Sequence, residues 1–288
     1  MSDKKNLDNI KKLREITGVG FSDCKSAILE NNGDIEKSIE YLRKKGIAKA
    51  SKKMSRVAAD GLVLINEQNS SVAIIEINSE TDFVAKNKDF VSFCKEISEI
   101  NLQCKGDLNL IKTTKMKNGK TVDENLVSLI SKIGEKITIR RSKYFDNNGF
   151  NFNYVHNSVE KNIGKVASIV KLSTDVKIDL KEIGTKLAMH VAAQSPISID
   201  EKGIKKEVLD KEFEIIKEEL KNSGKKDEML EKIANGKIKK FISDNTLLNQ
   251  IWIMDTKLKV SEVLKKYSNK SEIKIVDFVR FKVGEGIW

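Results

Sequence analysis

The hydrophobic period of the chain changes at Gly61, and that change limits the folds open to it more than any other feature. Upstream of it, apolar residues recur at helical spacing: Leu7, Ile10, Leu13 and Ile16 share one face of residues 6–17. Thr17, Gly18 and Gly20 are read as the end of that helix. Ser22 is read as the N-cap of a second helix, which turns Cys24, Ala27 and Ile28 inward and stops at Asn32-Gly33. Asp34 caps a third, with Ile35, Ile39 and Leu42 inward and Gly46 as its close. Residues 1–46 thus read as a compact three-helix unit, and residues 47–60, "IAKASKKMSRVAAD", as a small and basic linker.

From Gly61 the spacing becomes that of strands. "LVLINE", the turn "QNSS" and "VAIIEIN" make an antiparallel hairpin. A helix follows with Phe90, Phe93, Cys94 and Ile97 on one face, then a second with Leu126, Leu129, Ile130 and Ile133, ending at Gly134. The strand "KITIRRSKYF" comes next, and the turn "DNNG" is read as making another hairpin with "FNFNYVH", before the strand "KVASIVKL". A helix from about Leu180 is stopped by Pro196, the only proline in the chain. Residues 204–220 and 226–241 form a charged helix pair with Leu209, Phe213, Ile216 and Leu220 on one seam and "NSGKK" as the turn. This arm looks inserted, because strand and helix signals resume after it with "QIWIM", "VSEVLKKY" and "IKIVDFVRFKV".

A chain of 288 residues is long enough for two or three units, and 39% apolar residues suffice for real cores. The apolar runs are short and "MSDKKNLDNIKKLREITG" has no apolar block, so a soluble cytoplasmic protein without a membrane segment is expected. The formal net charge of +11 invites nucleic acid, yet only six arginines occur and the lysines alternate with acids, as on solvated helix faces. No direct nucleic-acid binding is expected. Three cysteines, odd in number and without CxxC spacing, argue against a disulfide framework or a zinc site. His156 and His190 lack neighbouring ligands, "TKMKNGKT" has Thr114 where a phosphate loop needs glycine, and no nucleophile with its base stands out. No cofactor, no metal and no enzymatic bond chemistry are expected.

One stretch resists assignment. "EINSETDFVAKNKDF" passes from strand to helix with Asp82-Phe83 at the junction. The residue pattern alone favours Phe83 packed inside, with Asp82 capping the helix that carries Phe90 and Phe93.

"LREITGVGFSDCKSAILENNGDIEKSIEYLRKKG", "AADG", "EINSETDFVA", "KIGEKITIRR", "LAMHVAAQSP" and "FVRFKVGEGI" resemble, in this order, signature segments of the bacterial elongation factor Ts family. The matches run from Leu13 to Ile287. The resemblance implies a guanine-nucleotide exchange factor whose partner is the GTPase elongation factor Tu. It implies an α+β fold: a three-helix ubiquitin-associated-like domain in 1–46, then a two-part α+β core with antiparallel sheets. The core halves would be 61–145 and 146–199 with 237–288, and 200–236 an inserted helical coiled-coil arm, a candidate surface for a homodimer.

In proteins similar to this one, the segment Thr81, Asp82, Phe83, Val84 and Ala85 is pushed into the GTPase beside the bound magnesium, with the phenylalanine as a wedge. That reverses the buried reading of Phe83. Leu13, Ile16, Ile28 and Ile39 keep the core reading, and docking by the first domain would fall to exposed neighbours such as Arg14, Val19 and Lys25. His156 corresponds to a histidine in the family's Tyr-x-His segment. Its flanks depart, with Asn157 where a glycine is common and Asn162 where an arginine is frequent, which argues against a contact role. Gln250-Ile251-Trp252 replaces Gln-Pro-Phe, and Ser79 replaces a common cysteine. The sequence stops at Trp288, so the additional C-terminal module of some members is expected to be missing. The competing function is an interaction scaffold whose three-helix domain binds partners while the basic linker touches RNA.

Overall fold

The first three helices bury only one narrow stripe. The computed structural model describes residues 2–287, apart from 18, 54, 176, 222–226 and 269–271. Helices α1 (Ser2–Thr17), α2 (Phe21–Glu30) and α3 (Ile35–Lys53) meet around Ile10, Leu13, Cys24, Ala27, Ile28 and Leu42. Asp34 does cap α3, its Oδ1 accepting from the Lys37 amide at 3.0 Å. Ser22, however, is not an N-cap: α2 starts at Phe21, Gly20 holds the cap position, and no side chain caps it. Ile16 is 57% exposed and Leu7 also faces water, because α2 and α3 reach only the stripe of Ile10 and Leu13. Gly18, read above as part of the helix stop, lies outside the described residues.

Gly46 does not close α3, which runs on through seven residues of the expected linker to Lys53. The reason is tertiary. Gly46 is buried, and a side chain there would come against Ser131 of α7 (Val122–Ile133). The contact is framed by ionic and polar links from Arg43 to Glu124 and from the Lys53 ammonium to the Gly134 carbonyl.

The hairpin forms as its alternation requires: β1 (Asp60–Gln68) and β2 (Ser71–Ser79) turn through Asn69 and Ser70, whose φ angles of +52° and +63° suit a tight two-residue loop. With β3 (Ile137–Phe145) and β5 (Ile163–Gly164) they make a four-stranded sheet in the order β3-β2-β1-β5. Besides α7, three helices accompany this sheet: α4 (Asp82–Ala85), α5 (Lys88–Gln103) and α6 (Leu108–Thr113), the last not anticipated from sequence. Leu62, Leu64, Ile75 and Ile77 pack under Phe90, Cys94, Ile97 and Ile130.

The opposite face of β1 and β2, with Val63, Ile65, Val72 and Ile74, packs on Ala167, Ile169, Val279 and Phe281 of a second sheet. Burial on both faces explains why these strands read as continuous apolar runs. The second sheet has the order β4-β6-β7, from β4 (Phe150–His156), β6 (Val166–Thr174) and β7 (Ile273–Lys282). The "DNNG" turn therefore does not make a hairpin; it carries the chain from β3 in one sheet to β4 in the other. Reversal is a local signal, but the choice of partner strand is made by long-range packing.

Helix α8 (Lys181–Gln194) covers the second sheet and ends at Ser195, with φ at +50°, one residue before Pro196. Helices α9 (Lys206–Lys221) and α10 (Asp227–Asn245) form the arm, with Ile216 buried and Leu209, Phe213 and Leu220 half-buried along the seam. The expected connecting turn 222–226 lies outside the described residues, and α10 continues well past residue 236. "QIWIM" is not a strand. It is a run of turns with one bridge from Ile251 to Lys259, shaped by burial of Trp252 against the imidazole of His190, 5.2 Å away and nearly parallel. Helix α11 (Val260–Ser268) then leads into β7.

A buried carboxylate ties the two sheets together. Glu76 on β2 is fully buried and accepts from Arg140, from Arg141 and from the amide of Gly284 beyond β7. Arg140 also donates to the Glu285 carbonyl at 2.6 Å and Arg141 to the Lys282 carbonyl at 3.1 Å, while Arg280 pairs with Glu285. Gly284 has φ at +74°, and a Cβ there would run into the carbonyl of Ala59, so no other residue closes this turn without strain. Three of the six arginines are thus committed to this clasp. The molecule is an α+β protein with two antiparallel sheets behind an N-terminal three-helix segment.

Candidate functional site

The junction between β2 and α5 combines a tightly held base with an uncovered tip. As β2 ends, the buried Ser79 hydroxyl donates to the Thr81 carbonyl at 3.0 Å. Thr81 in turn gives its amide and its hydroxyl to the two oxygens of Glu135, at 3.0 and 2.9 Å. Glu135 is placed for this by Gly134, whose left-handed φ of +87° ends α7 and turns the chain toward β3. The exchange is reciprocal, since Glu80 accepts from the Lys136 amide at 2.6 Å and pairs with Arg56.

Helix α4 is a single turn, so it cannot hide all its side chains. Val84 and Ala85 enter the core beside Phe90, and Phe83, facing the other way, is 78% exposed. Nor does Asp82 cap α5. That cap is Asn87, whose Oδ1 accepts from the amides of Asp89 and Phe90 at 2.9 and 3.3 Å. Asp82 instead lies beside the ring as half of an exposed pair, 2.8 Å from the Lys86 ammonium. That hydrogen bond holds the Asp82 carboxyl below the usual carboxylate range and raises the pKa of Lys86. The core reading of Phe83 and the capping reading of Asp82 both fail on geometry. An asparagine three residues ahead of Phe90 was the sequence signal for the true cap.

The other candidates lie apart. Arg14 and Lys25 are exposed on α1 and α2, whereas Val19 is half-buried against the small core. Sequence reasoning passed over Phe21 and Leu29, which with Ile16 are the exposed large apolar residues of α1 and α2 closest to Arg14 and Lys25 in the chain. His156 stands exposed at the end of β4, with its Nδ1 3.1 Å from the Tyr154 hydroxyl. Asn157 has φ at +51°, a conformation that favours glycine and that asparagine tolerates best among the rest. His190 is buried, its Nε2 3.0 Å from Gln250 Oε1, and desolvation lowers its pKa against the opposing pull of that hydrogen bond. Among the described residues no group of His, Cys, Asp and Glu could hold a metal ion. No helix among them is long and apolar enough to cross a membrane.

The family model described as "Elongation factor TS" matches residues 80–285, which include Thr81–Ala85, Glu135 and the clasp residues other than Glu76. The chain belongs to the elongation factor Ts family. A curated elongation factor Ts of Rickettsia bellii is 39% identical over 287 residues, covering 98% of this chain and 93% of that protein. Those of Rickettsia massiliae and Rickettsia prowazekii are 39% identical over 283 residues, covering 96% and 91%. Membership in the elongation factor Ts family implies a translation factor that serves nucleotide exchange on elongation factor Tu, without bond-making chemistry of its own.

Proposed function

We propose that this chain promotes GDP release from elongation factor Tu by pressing residues 81–85 against the magnesium and phosphate site of the GTPase, with Phe83 as the wedge. One observation carries the reading: a large aromatic ring is 78% exposed on a turn whose neighbours, Val84 and Ala85, are locked in the core. A ring left in water by its own fold gains about 1.5–3 kcal/mol when another protein covers it. If that cover exists only in a distorted, nucleotide-free GTPase, the energy appears as faster release. Linkage requires GDP to weaken the factor's binding by the same ratio. Asp82, kept ionised by Lys86, brings negative charge to the same edge, where it competes with the phosphates for the magnesium.

In this reading the first unit, near 1–46, docks through Arg14, Lys25 and the exposed part of Val19. The half near 61–145 carries the wedge, and the half formed by 146–199 and 237–288 carries the arm. The arm, 200–236, is the surface offered to a second copy, with Val208 and Ile215 exposed on α9. His156 is assigned no contact. Acting on a translational GTPase places the protein in the cytoplasm. The test loads elongation factor Tu with a fluorescent GDP analogue and follows its release on adding this protein. Release quickened by the wild-type chain and lost with Phe83→Ala supports the wedge; equal release by both refutes it.

A further inference from the structure

The wedge is only as useful as its placement, and one side chain distant in sequence sets that placement. Glu135 accepts two hydrogen bonds from Thr81, one from the amide and one from the hydroxyl, across 54 positions of sequence. Thr81 occupies the cap position of α4 but makes no side-chain cap there; what holds it is the donation of its amide and its hydroxyl to Glu135. The single turn that bears Phe83 therefore owes its entry angle to Glu135 and to the Ser79 hydroxyl beneath it. Both interactions reach the residue directly before Asp82, so a change in either one re-aims the ring. Glu135 itself is half-buried, and Gly134 leads into it from the end of α7.

We infer that Glu135 is a positioning residue for nucleotide exchange, holding the base of the 81–85 turn so that Phe83 is presented already oriented. The inference rests on the wedge reading above. Glu135 touches neither the nucleotide nor the GTPase in this scheme. Its contribution is to avoid the ordering cost that a loose turn would have to meet when the ring is driven into its partner. That cost falls on the distorted, nucleotide-free complex, where the ring is engaged, and hardly on the first encounter. The maximal rate should therefore suffer while the half-saturating concentration hardly moves.

Wild-type chain, Glu135→Ala, Thr81→Val, Thr81→Ser and Phe83→Ala are titrated against elongation factor Tu loaded with the fluorescent GDP analogue. Thermal melting and amide hydrogen exchange are followed alongside. Glu135→Ala should lower the saturating release rate about tenfold, the weight of one charge-assisted hydrogen bond, and leave the half-saturating concentration within about twofold. The Thr81 amide should lose protection while the melting temperature barely changes, since a half-buried polar site can be rehydrated. Thr81→Val should slow release in the same way, the double variant should be no slower than Glu135→Ala alone, and Thr81→Ser should restore most of the rate. Should Glu135→Ala prove unstable, Thr81→Val, which removes only the hydroxyl, decides. A normal saturating rate for Glu135→Ala beside a slow Phe83→Ala overturns the positioning role and leaves the wedge standing. A normal Phe83→Ala overturns the wedge, and the positioning role falls with it.

Discussion

Phe83 and His190 are each set against their surroundings, in opposite senses. Phe83 is an apolar ring in water, and His190 is an ionisable ring in the core. Around His190 every polar partner is used internally. Its Nε2 faces Gln250 Oε1 at 3.0 Å, Gln250 donates onward to the carbonyls of Gln194 and Asp244, and Trp252 stacks on the imidazole. At the junction after β2 the hydrogen bonds lie at the base, on Ser79, Thr81 and Glu135, and the ring at the tip has no cover. A misfit whose partners are all internal belongs to the scaffold. A misfit that is firmly mounted yet uncovered is open to contact from outside the chain, which is what the proposed wedge requires.

The largest expected effect lies on the scaffold side. Trp252→Ala should destabilise the fold by about 3–5 kcal/mol in chemical denaturation, with exchange per folded molecule unchanged. A drop in that specific exchange would break the comparison by giving the His190 region a functional role. Next comes Phe83→Ala, which should slow GDP release roughly 10- to 100-fold, in line with the burial of one ring, and shift stability by less than about 0.5 kcal/mol. A large loss of stability would move Phe83 into the scaffold class.

A smaller effect concerns pH. Burial lowers the pKa of His190 below its ordinary value of 6.5, so the unfolded chain binds this proton more readily than the folded one. The contribution of neutral His190 to stability is then complete above about pH 6.5 and is lost as the pH falls from there toward the depressed folded pKa. Melting followed downward from pH 7.5 should show this fall, and His190→Gln should flatten it. The smallest effect is that of Asp82→Asn, which removes an exposed pair with Lys86. It should leave melting unchanged and slow release less than Phe83→Ala does, as read in the same fluorescence assay. A larger slowing than that of Phe83→Ala would make the charge, and not the ring, the principal tool.

Much of the architecture was legible wherever a local rule operates. The β1–β2 hairpin follows from alternation and a two-residue turn, and α7 follows from Leu126, Leu129, Ile130 and Ile133 before Gly134. Asp34 announced the start of α3. The resemblance of "EINSETDFVA" to its family singled out residues 81–85 against the residue pattern, which would have buried Phe83. The tertiary structure decided where local rules give the same signal for different outcomes. Gly46 has the look of a helix end but passes beside Ser131 inside a continuous helix, and "DNNG" reverses the chain without saying that β4 leaves the sheet of β3. The direction of Phe83 depended on which residues of a one-turn helix the core could accept, and its mounting depended on Glu135, a partner that no nearby residue announces. Periodicity, caps and turns arise from contacts a few residues apart, and a sequence displays these directly. Which face is covered, and by what, is set by groups that become neighbours only after the chain has folded.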